Sequence, residues 1–229
     1  VAAALWRFLR RFETRVLLIF MAAMGALWAF FSIAEEVDEG ETRAFDERLI
    51  LVFRDPGDLN NPLGSRSFEE AVRDITALGG FTFVTLATAV GVLLFLFHGR
   101  TRHALVLLGA VLLSLVSSET MKAIYGRPRP DLVPHGSYVY SGSFPSGHST
   151  LSAATFLTLA VLVSSLEPRR RTKALLYALA LALLATVGLS RVYLGVHWPS
   201  DVIAGWCLGA AWAFVAWVVL RLVGARTRG

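Results

Sequence analysis

Three short stretches of this 229-residue chain concentrate the side chains able to hold an anion and move a proton. Lys122 to Pro130 reads KAIYGRPRP, Phe144 to Thr150 reads FPSGHST, and Ser190 to Asp201 reads SRVYLGVHWPSD. Four positions separate His197 from Asp201. If a helix begins near Trp198, the carboxylate reaches one imidazole nitrogen and fixes the tautomer, leaving the other nitrogen to attack phosphorus. His148 belongs to a different helix and can give a proton to a departing oxygen. Lys122, Arg127, Arg129 and Arg191 add positive charge. Any one of them alone reads as an interfacial residue whose stem lies along apolar surface while its head reaches water. Together, beside two histidines, they read as a clamp for a polyanion, and the guanidinium fork suits phosphate oxygens.

Two helix starts reinforce that reading. Pro145 precedes Ser146-Gly147-His148, and Pro199 stands at a first helical position. Free N–H groups and the positive end of the helix dipole favour an anion there, and glycine at 147 allows close approach. Plain capping explains the same residues, and the two roles are compatible.

The elements that must carry these clusters follow from composition. Apolar residues make up 55% of the chain and charged residues 17%, with a mean hydropathy of +0.58; disorder and an ordinary soluble globule are both excluded. Six runs have the length and apolarity of membrane spans: Val16 to Ala34, Phe81 to Phe97, Ala104 to Ser118, Ser149 to Leu166, Ala174 to Leu189 and Val202 to Leu220. None contains an Asp, Glu, Lys or Arg, and none shows the polar stripe of a soluble helix. The sequence therefore predicts an all-α, six-transmembrane-helix bundle forming one domain over residues 1–229.

Charge orients the bundle. Arg7, Arg10, Arg11, Arg15, Arg100, Arg102, Arg169, Arg170, Arg171, Lys173, Arg221, Arg226 and Arg228 fall on one predicted side, opposed only by Glu13 and Glu167. By the positive-inside rule that side, with both termini, is cytoplasmic, and all three clusters face outward. The net charge of +5 thus marks topology, not a nucleic-acid partner. The first run also resembles a signal peptide ending at Ser32-Ile33-Ala34, but its apolar stretch is long for one and reads as a retained anchor. Residues 35–80 form the one sizeable non-spanning segment. Phe45, Leu49, Val52 and Phe53 predict a short amphipathic helix at the interface. Pro56, Gly57, Asn60, Asn61, Pro62 and Gly64 predict a loop, and a second helix is expected over Phe68 to Leu78. Cys207 is the sole cysteine, which excludes an internal disulfide.

The three clusters resemble the signature of the type 2 phosphatidic acid phosphatase family, integral-membrane lipid phosphatases with the motifs KX6RP, PSGH and SRX5HX3D. Lys122 with Arg129-Pro130, then Pro145-Ser146-Gly147-His148, then Ser190-Arg191 with His197 and Asp201 match every specified position, all within residues 122–201. The resemblance implies that His197 is a nucleophile forming a phosphohistidine, that Asp201 orients it and that His148 protonates the leaving group. It further implies that Lys122, Arg129, Ser146, Gly147 and Arg191 bind the phosphoryl oxygens, without metal or other cofactor. Arg127 lies outside the signature and reads as a phosphate or headgroup contact; His135 has no assigned role.

The implied substrate is a lipid phosphate at the outer face of a bacterial inner membrane: phosphatidate, phosphatidylglycerol phosphate, undecaprenyl pyrophosphate or the 1-phosphate of lipid A. The alternatives are a phosphatase or phosphotransferase acting on a soluble ester, and a non-catalytic anion transporter. Transport sites favour charges and broken helices near the bilayer midplane, and the six runs have no charged interior position.

Overall fold

Each apolar run becomes a helix, because within hydrocarbon only a helix satisfies every backbone N–H and C=O inside its own segment. The computed structural model describes residues 14–137 and 141–225. Its helices are α1 (Thr14–Asp38), α2 (Arg43–Leu51), α3 (Arg66–Ala77), α4 (Phe81–Phe97), α5 (Thr101–Tyr125), α6 (Gly147–Leu166), α7 (Arg170–Tyr193) and α8 (Pro199–Ala225). Five of them, α1, α5, α6, α7 and α8, are long and apolar enough to cross a membrane. The 17-residue α4 joins them as a sixth when taken with α3 across a 47° bend. Arg7, Arg10, Arg11, Arg226 and Arg228, which carried part of the orientation argument, lie outside the described residues.

The bundle is organised around α6, which packs on α5, α7 and α8, while α1 lies along α8. Small residues make that centre possible. On α8, Gly205 and Gly209 face α6: a Cβ at Gly205 would meet the Ser146 carbonyl oxygen at 2.8 Å, and one at Gly209 would overlap the Thr150 carbonyl and Ala153. This small-xxx-small seam lets two backbones approach as they do in membrane helix pairs. Among the described residues the outward faces are apolar and bare, with Trp28 74% and Phe97 84% exposed. So much bare aromatic and aliphatic surface is stable only against lipid, and the protein is an integral membrane protein.

Between α1 and α4 the chain departs from expectation in one place. The predicted loop is a two-stranded antiparallel hairpin, β1 (Arg54–Asp55) with β2 (Asp58–Pro62). Its turn is nucleated locally, since Asp55 Oδ1 accepts the Gly57 N–H at 2.8 Å, an Asx turn that the composition of this stretch conceals among ordinary loop formers. The helices α2 and α3 form as expected, α3 being capped by Ser65, whose Oγ accepts the Phe68 N–H. Of the residues expected to form the apolar stripe of α2, Phe45 and, just past the helix, Val52 are 47% and 58% exposed, whereas Phe53 turns inward to pack on Tyr193 and on the cluster of Ile50, Val133 and Val192. The inward face of α2 is Thr42, Asp46 and Ile50, all buried.

Candidate functional site

Each of the three motifs sits at a helix end, and the ends converge. Lys122 is in the last turn of α5, which stops at Gly126, a residue in the left-handed region (φ 53°). The chain then runs through Arg127 to Pro130 as a strap fixed by its neighbours: Ser143 Oγ and Trp198 Nε1 both donate to the Pro128 carbonyl, at 3.0 Å each. Ser146 caps α6, its Oγ accepting the Ser149 N–H, and the Ser146 N–H donates to the Asp201 carbonyl at 3.0 Å. That bond ties the start of α6 to the start of α8. Arg191 closes the last turn of α7.

At the centre lies His197, 2% exposed. Its Nδ1 donates to Asp201 Oδ2 at 3.3 Å, and the same oxygen accepts the Trp198 N–H at 2.9 Å. Nε2 accepts from Arg129 Nη1 at 3.1 Å. With a carboxylate on one side and an arginine donor on the other, the network assigns the Nδ1–H tautomer and puts the lone pair on Nε2. Burial, and then the positive charges of Arg191, Arg129 and Lys122, push the imidazole pKa well below its ordinary value, so the ring is neutral and nucleophilic.

Around Nε2 the cations are held apart, and Arg129 and Arg191 have no carboxylate partner among the described residues. Arg129 donates to three backbone carbonyls, Ser141 at 2.9 Å, Val196 at 2.6 Å and Gly142 at 3.4 Å. Arg191 is buried, donates to Thr76 Oγ1 at 3.0 Å and leaves its Nε without a partner. A buried guanidinium with one neutral partner is costly on its own and is a place for an anion to be welcomed. Lys122 pairs with Glu119 at 2.7 Å, and its Nζ lies 3.0 Å from where a Gly147 Cβ would be. His148, half-buried in the first turn of α6, shares electrostatic contact with His197, Arg191, Lys122 and Arg129. All eight candidate residues are thus gathered at one end of the bundle.

Arg127 is a correction. It does not face the anion pocket: Nη1 donates to Asp201 Oδ1 at 2.6 Å and to Ser200 Oγ at 2.8 Å, and Nη2 to Asp46 Oδ2 at 2.8 Å and Thr42 Oγ1 at 3.2 Å. Its guanidinium lies over the Trp198 ring, 5.5 Å from the centroid. Spacing along the chain cannot tell a cation aimed at substrate from one aimed at a buried carboxylate 74 positions away. Asp46, fully buried, was missed altogether; the one signal for it is that Thr42, Asp46 and Ile50 share a helix face. His135 Nε2 lies 2.7 Å from the Pro130 carbonyl and braces the loop after the strap. Among the described residues no three His, Cys, Asp or Glu side chains are grouped to hold a metal ion.

Known proteins resemble this chain in sequence and in fold. The chain is 36% identical over 144 residues to phosphatidylglycerophosphatase B of Bacillus subtilis, an alignment spanning 61% of this chain and 69% of that one. It is 29% identical over 191 residues to a lipid A 1-phosphatase of Rhizobium etli, spanning 71% and 78%. Its fold superimposes with a TM-score of 0.74 and 26% identity on the crystal structure of a transmembrane PAP2-type phosphatidylglycerolphosphate phosphatase from Bacillus subtilis, covering 89% of this chain and 96% of that one. Residues 103–224 match the family model described as PAP2 superfamily, a stretch that begins near the start of α5 and contains all three helix-end motifs, and on that agreement of sequence and fold the chain belongs to the PAP2 superfamily.

Proposed function

We propose that this protein is a lipid phosphatase that works through a phosphohistidine on His197. The observation that carries the reading is the environment of that one ring: Nδ1 tied to Asp201, Nε2 bearing the lone pair, and two arginines without a carboxylate partner, Arg129 and Arg191, beside it. Arg129 leaves Nε2 for a phosphoryl oxygen as substrate enters. Nε2 then attacks phosphorus, forming the N–P bond as the P–O bond to the leaving group breaks, and His148, protonated from solvent as the entering phosphate's negative charge offsets the surrounding cations, supplies that oxygen with a proton. Charge spread over the equatorial oxygens is met by Lys122, Arg129, Arg191 and the start of α6 at Ser146 and Gly147. Asp201 balances the positive charge that develops on the imidazole. In the second step His148, now deprotonated, takes a proton from water, whose oxygen attacks phosphorus, releasing phosphate and restoring His197. Fixed side-chain cations take the part that a divalent metal plays elsewhere, so the reaction runs without one.

The substrate is an amphiphile whose chains remain in lipid while its phosphate enters the end of the bundle. Relatives named for phosphatidylglycerol phosphate and for lipid A support that class. We place the site on the outer face of the membrane with both termini cytoplasmic, from the distribution of Lys and Arg among the loops. The test is phosphate release by purified wild type and His197→Ala, with chelator present, from phosphatidylglycerol phosphate, lipid A, phosphatidate and undecaprenyl pyrophosphate. One dominant lipid substrate, with release abolished by the substitution, is expected. Release that survives His197→Ala, or faster turnover of a water-soluble ester than of every lipid, overturns the proposal.

A further inference from the structure

We propose that Asp46, on the interfacial helix α2, is a positioning residue that acts through Arg127 and Asp201 on His197. The inference rests on the phosphohistidine reading and adds to it a residue from outside the family motifs.

Four groups on three segments form an unbroken buried chain. Asp46 Oδ2 accepts from Arg127 Nη2 at 2.8 Å, Arg127 Nη1 donates to Asp201 Oδ1 at 2.6 Å, and Asp201 Oδ2 accepts from His197 Nδ1 at 3.3 Å. Both carboxylates are fully buried, and the Arg127 side chain is 13% exposed. Asp46 is also built into the start of α8, its Oδ1 accepting the Ser200 N–H at 2.8 Å and its Oδ2 the Ser200 hydroxyl at 2.6 Å. The geometry of α2 is therefore transmitted to the first turn of the helix that carries Asp201.

Formal charge explains why a second carboxylate is useful. Asp201 with Arg127 alone would be a neutral pair, with little left to stabilise positive charge growing on His197. Asp46 shares the guanidinium, so the group of three carries one net negative charge toward the imidazole. The other charged or titratable groups facing His197 are the cationic side chains of Lys122, itself paired with Glu119, and of Arg129 and Arg191, with His148 alongside. The Asp46–Arg127–Asp201 group is the counterweight to them.

Asp46→Asn tests this while keeping the shape of the side chain; its single amide oxygen can serve Arg127 or the Ser200 N–H but not both, so some loss of Tm is expected beside the kinetic effect. The burst rate of phosphoenzyme formation is expected to fall about tenfold with KM within about twofold, an effect confined to the chemical step. The acid limb of the burst rate is expected to move to lower pH, because His197 becomes less basic. Mere loosening of the site would hydrate His197 and move the limb the other way, toward its ordinary value. Asp46→Asn combined with Arg127→Met leaves Asp201 with its full charge and should recover much of the rate. An unshifted or upward-shifted limb, or losses that simply add in the double variant, overturns the proposal.

A readout independent of turnover separates this from a failure of the phosphatase reading. In 15N-histidine-labelled protein, the His197 Nδ1 proton, assigned by its absence in His197→Asn, should lie far downfield in wild type and move upfield in Asp46→Asn. An unmoved resonance refutes the role of Asp46 whatever the substrate proves to be.

Discussion

Replacing Asp201 by Asn separates what the carboxylate does from the space it fills. Both of its oxygens are acceptors: Oδ1 for Arg127 at 2.6 Å, Oδ2 for the Trp198 N–H at 2.9 Å and His197 Nδ1 at 3.3 Å. An amide has one acceptor oxygen, and the charge-assisted bond to Arg127 claims it. The amide NH2 then confronts the Trp198 N–H and the His197 Nδ1–H. Losing a bond to a charged acceptor costs about 1.5–3 kcal/mol, and a buried donor facing a donor about 1–3 kcal/mol more. The ring escapes by moving its proton to Nε2, which removes the nucleophilic lone pair, although the donation from Arg129 to Nε2 resists the change. Together these terms predict a loss of about 10²–10⁴-fold in the burst rate of phosphoenzyme formation, measured by rapid quench with labelled substrate. KM should change far less, while Tm should fall, because the amide NH2 faces the Trp198 N–H in the free enzyme as well. If Asp201→Asn forms phosphoenzyme within about threefold of wild type while His197→Ala forms none, Asp201 does not set the tautomer and the argument fails.

Gly147→Ala is expected to leave stability unchanged or raise it by up to about 1 kcal/mol, as Gly-to-Ala does in helices, yet to raise KM. The new methyl lies 3.0 Å from Lys122 Nζ, and the ammonium must shift; unchanged KM would mean that Lys122 does not touch substrate. Gly209→Ala drives a methyl into the Thr150 carbonyl and Ala153, a backbone contact that cannot rotate away. A stability loss of about 1–3 kcal/mol is expected by detergent-resistance or thermal melts, and equal stability would show the α6–α8 seam to be looser than it is drawn. Below a pH of about 6.5 the unfolded chain protonates His197 while the folded one does not, since its pKa is depressed. Its contribution to stability is thus complete above that pH and is lost as pH falls through the range beneath. Wild type should lose more Tm than His197→Asn between pH 7.5 and 5.5, and parallel losses would place His197 in water.

Much of this protein is legible without coordinates because lipid is a severe solvent. A charge-free run such as Val202 to Leu220 has one stable backbone conformation in hydrocarbon, so the helices, their order and the ends at which the motifs lie follow from sequence alone. The dyad of His197 and Asp201 was equally legible, since four positions at the start of a helix fix what two side chains can reach. The hairpin after Phe53 was hidden because Asp, Gly, Pro and Asn serve loops and Asx turns alike. Nothing local marks Asp46 or the direction of Arg127. The apolar residues around α2 mark it as interfacial, but whether the face that holds Asp46 meets water or another carboxylate's arginine depends on where α2 docks. That docking joins residues 81 and 74 positions apart. Buried charge is a property of the whole assembly: Arg127 is affordable out of water only where the fold brings two carboxylates to it at once. Local spacing determined which polar side chains stand together at the helix ends, and tertiary packing decided which cations are left without a carboxylate and which is held between Asp46 and Asp201.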